Sequence, residues 1–384
     1  MHTQSLFTET LPQPIPIARV IADSGHMLGR KPTSPEPAPA PKPKPPQEPT
    51  TSTSLPPRRS NPWQRHGTTL LAEAMTDPDL AIQKAGLNWD VARVDMRTAD
   101  TLDAVPDFAA IRRSDTGAIL GVVGNGYENF QNKSMFNVIK DLAVVGRDGG
   151  MPFTIETAGS FQGGRIVWVL AHLPHLEIRI GDDEARVFML LSNGHVGNRR
   201  LIIAPTTIRP ICMNTLRMAE KQIRGNQKKS GLVGGVTIKH LPGMHLAVDE
   251  AREAFAATVR NHATTKAAWE FLASKPLTTK LKTAFLASVF GRPGPDEADR
   301  AKSLRKSREE RIQAILTSVT SQVKGTKDSG LSVLHAVVEF VDHDRTTRTS
   351  DGDSEEARQV SATWGSGAEV KARAFDAILE LTGA

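Results

Sequence analysis

The sequence predicts an α+β fold, in which an antiparallel sheet of β-hairpins is followed by a basic helix and a mostly helical C-terminal region. Strand-like segments flank turn residues between residues 89 and 209, and apolar residues recur at helical spacing after residue 240. Eleven of the 26 residues 32–57 are proline, which predicts a disordered arm because proline removes backbone donors and fixes φ. The predicted organisation is a disordered proline-rich arm over 1–65, an α+β core domain over 66–240 and a mostly helical region over 241–384.

Three hairpins are predicted in the core, each from two strand-like segments that flank turn residues. A separate strand over 89–97 precedes them. A helix is predicted over 132–145, with Phe136, Ile139 and Leu142 on its inward face. The paired segments are 108–114 with 118–123, 153–161 with 165–173, and 185–193 with 199–209.

The C-terminal region is predicted to contain a series of helices separated by loops with glycine and proline. Among the aromatic residues of the chain, Trp364 in the glycine-rich TWGSG segment is the best candidate for an exposed base-stacking side chain. The predicted helices span 244–273, 278–290, 298–323 and 331–344, and a last one begins near Gly367.

Composition narrows the class of protein. The formal net charge is +6 and the pI is about 9.4, so the placement of the positive charge matters more than its total. Cys212 is the single cysteine, which excludes a disulfide framework. The apolar runs are far shorter than a membrane span, and the first 25 residues lack a secretory pattern. We therefore expect a cytoplasmic protein with no membrane contact.

The stretch 211–229, ICMNTLRMAEKQIRGNQKK, concentrates positive charge. At 100° per residue, Cys212, Leu216 and Ile223 fall on one face of a helix, and the opposite face is almost entirely basic. A single-sign stripe predicts a polyanion partner, most simply nucleic acid, although a solvated basic helix face is the alternative. The polar face carries Asn214, Arg217, Lys221, Arg224 and Lys228.

The turn that precedes the last predicted strand of the core is also basic. Arg199 and Arg200 follow one another there and point to opposite faces of a strand, so at least one should share a surface with the basic helix. Arg209 ends the same strand, close to the start of that helix. Arginine forks suit phosphates, and Asn214 can bond to a base or sugar. A polar hairpin tip without a ligand is the alternative.

Five segments of the chain are informative when taken together. They are GVVGNGYENFQN (121–132), ETAGSFQGGRIVW (156–168), CMNTL (212–216), EFVDHDR (339–345) and ATWGSG (362–367). They occur in the order found in a phage- and plasmid-borne family known as domain of unknown function 932, which this chain resembles over about 87–381. The resemblance implies a mobile-element protein whose biochemistry is largely unassigned. Its hairpin-and-helix core is similar to that of single-strand annealing recombinases, a likeness at the level of fold.

A metal site is a weaker hypothesis. His335, Glu339, Asp342 and His343 fall within about 100° on one face of a predicted helix, a spacing that can bring ligands together. The same face is also expected to be polar simply because Val337, Val338 and Val341 point inward. We therefore predict that the face is exposed to solvent and that no metal binds.

The sequence favours sequence-independent binding of single-stranded DNA or RNA by a homo-oligomer, in support of strand annealing or recombination. No P-loop, GxSxG, CxxC or HExxH motif occurs, so neither a cofactor nor covalent chemistry is predicted. The alternatives are a metal-dependent nuclease and a protein-interaction factor that counters host defence. The predicted nucleic-acid contacts are Arg199, Arg200, Arg209, Asn214, Arg217, Lys221, Arg224 and Lys228.

Overall fold

The architecture was obtained as a computed structural model, which describes residues 62–210, 214–216, 235–242, 247–291, 294, 298–347 and 354–383. These residues belong to the unit Leu55–Ala384. Antiparallel sheets and a helical C-terminal region confirm the predicted α+β class. Among the described residues, no helix combines the length and the apolar character that crossing a membrane would require.

A large antiparallel sheet forms the centre of the described chain. Its main path runs β1-β5-β6-β8-β9-β10, with β11 also pairing with β9 and β7 pairing with β8. A smaller sheet has the order β2-β3-β4. The strands are β1 (Gly67–Thr69), β2 (Val91–Arg97), β3 (Ala104–Arg113), β4 (Ile119–Gly124), β5 (Thr154–Phe161), β6 (Ile166–His172), β7 (Ile178–Ile180), β8 (Asp183–Gly194), β9 (Leu201–Arg209), β10 (Asn214–Leu216) and β11 (Val236–Ile238).

All three predicted hairpins are confirmed. The pairs β3–β4, β5–β6 and β8–β9 are antiparallel and joined by short turns. The short turns set each register, because the register of a hairpin is fixed by the type and length of its turn. The helix predicted over 132–145 is also confirmed, with Phe136, Ile139 and Leu142 buried.

The helices lie mostly after the main sheet. A π-helical turn, Phe340–Asp344, continues α8. The helices are α1 (Pro62–Arg65), α2 (Ala72–Met75), α3 (Pro78–Lys84), α4 (Asn132–Asp148), α5 (Ala247–Ser274), α6 (Thr279–Phe290), α7 (Asp299–Leu316), α8 (Gly330–Glu339), α9 (Ser354–Trp364) and α10 (Ser366–Thr382).

Both faces of the main sheet are buried. Odd-numbered residues of β8, such as Val187 and Met189, join a core with Phe136 of α4. The even-numbered Phe188 and Leu190 join a second, aromatic core on the opposite face. A third core lies among the C-terminal helices. Since both faces are covered, the surface that the sheet leaves for ligands is its turns and its edges.

The aromatic core corrects two expectations. Trp63 lies within the range predicted as a disordered arm, yet it is fully buried beside Trp168, with ring centroids 4.7 Å apart. Trp364 was expected to be exposed, but it ends α9 and is buried against Trp63 at 5.9 Å. The glycines after it serve close packing, since a Cβ at Gly367 would come within 2.7 Å of Ala362 Cα. No helix was predicted over Ser354–Trp364.

The residues 214–216 also differ from the prediction, which placed them in a helix. They form β10, which pairs with the end of β9 through Asn214↔Arg209 and Leu216↔Thr207. Sheet pairing satisfies backbone groups on the outer side of β9, and this tertiary gain overrides a local helical pattern. The remaining predicted basic helix, 211–213 and 217–229, lies outside the described residues.

Candidate functional site

The outer side of β9 holds both ends of the basic stretch. Strand β10 pairs with Thr207–Arg209, whereas β11 pairs with Leu201–Ile203. Residues 217–234, between those strands, lie outside the described residues, so Arg217, Lys221, Arg224 and Lys228 do too. Their flanking strands nevertheless return to the same side of β9, only three residues apart along it. The sequence between these two anchors is therefore an insertion at one edge of the sheet.

The β8–β9 turn lies at the end of the same strand. Arg200 is exposed and Arg199 is partly buried. The turn contacts the neighbouring β5–β6 turn, because the backbone N–H of His195 donates to the Arg165 carbonyl at 2.8 Å. Arg165 is exposed as well. A Cβ at Gly194 would lie 2.1 Å from Arg199 Cβ, so glycine is required where the turn closes.

Arg209 is not part of this surface. Its side chain is 3% exposed, and its Nε and Nη2 donate to the two carboxylate oxygens of Asp183 at 2.6 and 2.8 Å. Its Nη1 donates to the Thr320 carbonyl at 2.6 Å. The prediction that Arg209 contacts phosphate is corrected, because this internal ion pair occupies the guanidinium. Asn214 is in β10, directly opposite Arg209 in register.

Helix α7 is also rich in lysine and arginine, and three of its cations have acidic neighbours on the same helix. Lys302 lies 3.4 Å from Asp299, Arg305 lies 3.9 Å from Glu309, and Lys306 lies 3.8 Å from Glu310. Such exposed pairs at helical spacing add little stability, but each acid offsets part of the charge of its partner. This helix is therefore a weaker candidate for phosphate contact than the insertion at β9.

The polar face of α8 and its π turn is buried, not exposed as predicted. His335, Glu339 and Asp342 are each at most 4% exposed. Lys371 of α10 donates to Asp342 at 2.7 Å, and His335 Nδ1 lies 3.8 Å from an Asp183 oxygen. Partners from other elements offset the free-energy cost of burying these groups. His343, the fourth candidate, is partly buried in the π turn. Within the described residues, no group of three or more His, Cys, Asp or Glu side chains could hold a metal ion.

A second, independent observation supports the family resemblance that the sequence motifs indicated. The profile of the family described as Domain of unknown function (DUF932) matches residues 119–364, more than half of the chain. The chain belongs to this family. No curated protein and no solved structure shows detectable similarity to it. The DUF932 match runs from β4 to the end of α9, so it includes the β8–β9 turn and both strands that anchor the basic insertion.

Sequence reasoning did not identify a buried polar cluster within the DUF932 match. His195 and His240 are 1% and 5% exposed. Tyr127 connects them, because its ring stacks on His240 at 4.6 Å and its hydroxyl donates to the Gly194 carbonyl at 3.0 Å. Burial, then the charges of His240 and Arg113, lowers the pKa of His195 to about 3. Burial also lowers the pKa of His240 and raises that of Tyr127.

Two sequence signals could have indicated this cluster. The segment 127–132, YENFQN, and the segment 193–195, NGH, both place amide side chains next to aromatic rings. The fold brings the two segments together: Asn193 Nδ2 donates to the Phe130 carbonyl at 2.9 Å, and His195 Nε2 lies 2.9 Å from Asn132 Oδ1. Sixty-three residues separate each of these pairs along the chain, so no local pattern reveals the contact.

We expect His335 to make this DUF932 protein sensitive to acid. Burial, and then the charge of Arg209, holds the pKa of His335 well below 6.5, so the folded protein keeps this imidazole neutral beside Asp183. The unfolded chain takes up a proton as the pH falls below about 6.5, so the free energy of unfolding decreases by at most ~1.4 kcal/mol per pH unit from this group. Urea unfolding between about pH 7.5 and 5.5 measures the slope. His335→Gln should reduce the slope by up to this amount while His195 and His240 still contribute, and an unchanged slope would contradict the assignment.

Proposed function

We propose that this protein binds single-stranded DNA or RNA without sequence preference and thereby supports strand annealing or recombination. One observation carries the proposal: a stretch dense in basic residues is inserted between two short strands on the outer side of β9. Residues 217–229 contain five basic side chains and the single acid Glu220. A dense positive insertion held at a fixed edge of a rigid sheet suits a polyanion.

The β8–β9 turn extends this charge along the same strand. The two ends of the insertion pair with Ile203 and Thr207, three and seven residues after Arg200. A strand advances about 3.3 Å per residue, so Arg200 lies about 10 to 23 Å along the strand from these two points. That distance corresponds to a few nucleotides of an extended strand. Phosphate contacts carry no sequence information. Aromatic residues are only 5% of the chain, so we expect electrostatics and not base stacking to dominate the affinity.

The setting on a phage or plasmid, and the role in annealing, rest on resemblance. The family match supports membership in DUF932. The likeness of a hairpin sheet and helices to annealing recombinases is an analogy of fold, so it raises the expectation without identifying the activity. We also propose a homo-oligomer, the form in which several copies could hold one strand.

Removing charge from the insertion should weaken binding in a salt-dependent way. We expect the triple variant Arg217→Gln/Lys221→Gln/Arg224→Gln to reduce the slope of log affinity against log salt by about 0.7 per residue, or about 2 in total. The loss should be similar on unrelated sequences, because phosphates are common to all of them. Fluorescence anisotropy with single-stranded and duplex oligonucleotides across a salt series measures it, and light scattering on the same samples gives the oligomeric state.

The matched control is Lys302→Gln/Arg305→Gln/Lys306→Gln in α7. It also removes three positive charges, but each of these has an acidic neighbour on the same helix. We expect it to change the salt slope by less than half as much. Circular dichroism shows whether the insertion variant is folded. If it is folded and keeps both its affinity for nucleic acid and its salt slope, this surface does not bind nucleic acid.

A protein-interaction role is the second candidate, because the small sheet exposes apolar side chains. Phe108, Ile119 and Val122 are 51%, 51% and 49% exposed. Phe108 and Val122 lie on neighbouring, paired strands. Exposed apolar patches of this kind mark contact surfaces. An absence of nucleic-acid binding even at low salt would favour this role. The nuclease alternative has no such support, since His335, Glu339 and Asp342 are buried.

A further inference from the structure

The cluster around His195 contains nitrogen lone pairs whose direction is fixed by hydrogen bonds. Asn132 Nδ2 donates to the carbonyls of Leu87 and Trp89 at 3.0 and 3.2 Å, so its Oδ1 must be the acceptor. His195 Nε2, 2.9 Å from that oxygen, therefore carries the proton. The neutral His195 ring then keeps a lone pair on Nδ1. Among the described residues this atom has no hydrogen-bond partner.

His240 repeats the arrangement with its other nitrogen. Its Nδ1 lies 3.1 Å from the backbone carbonyl of Glu128, which can only accept, so Nδ1 carries the proton. The lone pair is on Nε2, which is buried and also has no partner in the described part of the chain. Each imidazole thus donates one N–H to an oxygen, and its second nitrogen has no hydrogen-bond partner among the described residues. This is the outer-shell arrangement that orients histidine ligands of metal ions.

A third acceptor lies close by along the chain. Asn193 is two residues before His195, and both side chains contact the segment 130–132, Asn193 at the Phe130 carbonyl and His195 at the Asn132 side chain. Its Nδ2 donates to the Phe130 carbonyl, which leaves Oδ1 as an acceptor. That oxygen is fully buried and without a partner among the described residues. Buried acceptors of this kind need a donor or a cation.

We infer that His195 Nδ1, His240 Nε2 and Asn193 Oδ1 bind one divalent first-row transition-metal ion, for which Zn²⁺ is the probe. Imidazole nitrogen with an amide oxygen is a ligand set that such ions accept. The site uses two histidines and an amide, so it is different from the His335 face considered above. The charge of the nearby Arg113 acts against a positive charge at His195, and its contacts of 2.6 and 2.7 Å with Asp115 offset part of this effect.

The metal has a structural role here, because its ligands come from separate parts of the chain. Asn193 and His195 lie at the end of β8, whereas His240 follows β11, the strand that holds one end of the basic insertion. A shared ion would fix this end of the insertion against the sheet. The inference does not rest on the proposed function, since metal binding is measured without nucleic acid.

The test is Zn²⁺ binding by the full chain purified without chelator or affinity tag histidines. After addition of Zn²⁺ and exhaustive dialysis, elemental analysis should find about one zinc per chain, and Zn²⁺ should raise the thermal midpoint of the chelator-stripped protein by several degrees. His195→Gln and His240→Gln should each lose the bound zinc and the rise. His240 follows the short strand β11. The variant His240→Gln therefore decides the outcome if His195→Gln does not fold.

The matched control is His172→Gln. His172 is also a buried histidine of the main sheet, but both its nitrogens have partners: Nε2 contacts Glu177 at 3.1 Å and Nδ1 contacts Arg186 at 3.0 Å. It should keep the zinc and the thermal rise. Absence of stoichiometric zinc in the parent protein would overturn the inference. So would zinc that survives in folded His195→Gln and His240→Gln, or zinc that His172→Gln removes to the same extent.

Discussion

Replacing Asp183 with asparagine is expected to lower the free energy of unfolding by about 3–5 kcal/mol, as is typical when one partner of a buried ion pair is removed. The two side chains of the Asp183–Arg209 pair are 5% and 3% exposed. In the variant, the guanidinium of Arg209 keeps its positive charge in a site that water does not reach. Chemical denaturation followed by circular dichroism measures the loss.

The same carboxylate connects the sheet to the C-terminal region. Thr326 Oγ1 donates to Asp183 Oδ2 at 2.9 Å, and Arg209 donates to the Thr320 carbonyl. Both threonines precede α8, so we expect Asp183→Asn to loosen that region first. Limited proteolysis should then cut the C-terminal region of the variant sooner than it cuts that of the parent protein.

Two comparisons distinguish the buried pair from a general effect of lost charge. Glu184→Gln changes the next residue of β8, whose side chain lies 3.5 Å from Arg179 in an exposed pair, and should cost less than about 1 kcal/mol. The double variant Asp183→Leu/Arg209→Met removes both charges and should be much milder than Asp183→Asn alone. If Asp183→Asn and Glu184→Gln cost the same, the buried pair is not an important source of stability.

The hairpins and most helices could be predicted because their causes are local. Turn residues between short apolar segments determine β5–β6 and β8–β9, and apolar spacing determines α4. The short strand β10 could not be predicted, since its reason for being a strand is the outer side of β9. A pattern read within 211–229 contains no information about that neighbour.

The candidate site was harder to predict, because burial of a charge depends on partners that are distant in sequence. Arg209 at a strand end reads as exposed until Asp183, 26 residues earlier, is placed against it. Asp342 reads as a solvent-facing acid until Lys371, 29 residues later, is placed beside it. The His195 cluster likewise needs Asn132 and His240. The sequence indicated where basic residues concentrate, but not which of them the fold buries.

The second large effect on stability is expected from Trp63, near the start of the described residues. We expect Trp63→Ala to lower the free energy of unfolding by about 3–5 kcal/mol, since it removes a large, fully buried ring and leaves a cavity. Trp63 contacts Trp168 at 4.7 Å and Trp364 at 5.9 Å between ring centroids, both in edge-to-face geometry that adds to the area buried. Trp63→Phe keeps part of this contact and should cost less.

Two further variants test whether the effect belongs to Trp63 itself. Leu71→Ala changes an apolar residue nearby that is 71% exposed, and it should change stability by less than about 0.5 kcal/mol. Deletion of residues 1–54, which precede the unit beginning at Leu55 and include the densest run of prolines, should shift the thermal midpoint by no more than a few degrees. A cost below about 1 kcal/mol for Trp63→Ala would mean that the aromatic core does not need this ring. The arm predicted over 1–65 would then keep its predicted boundary.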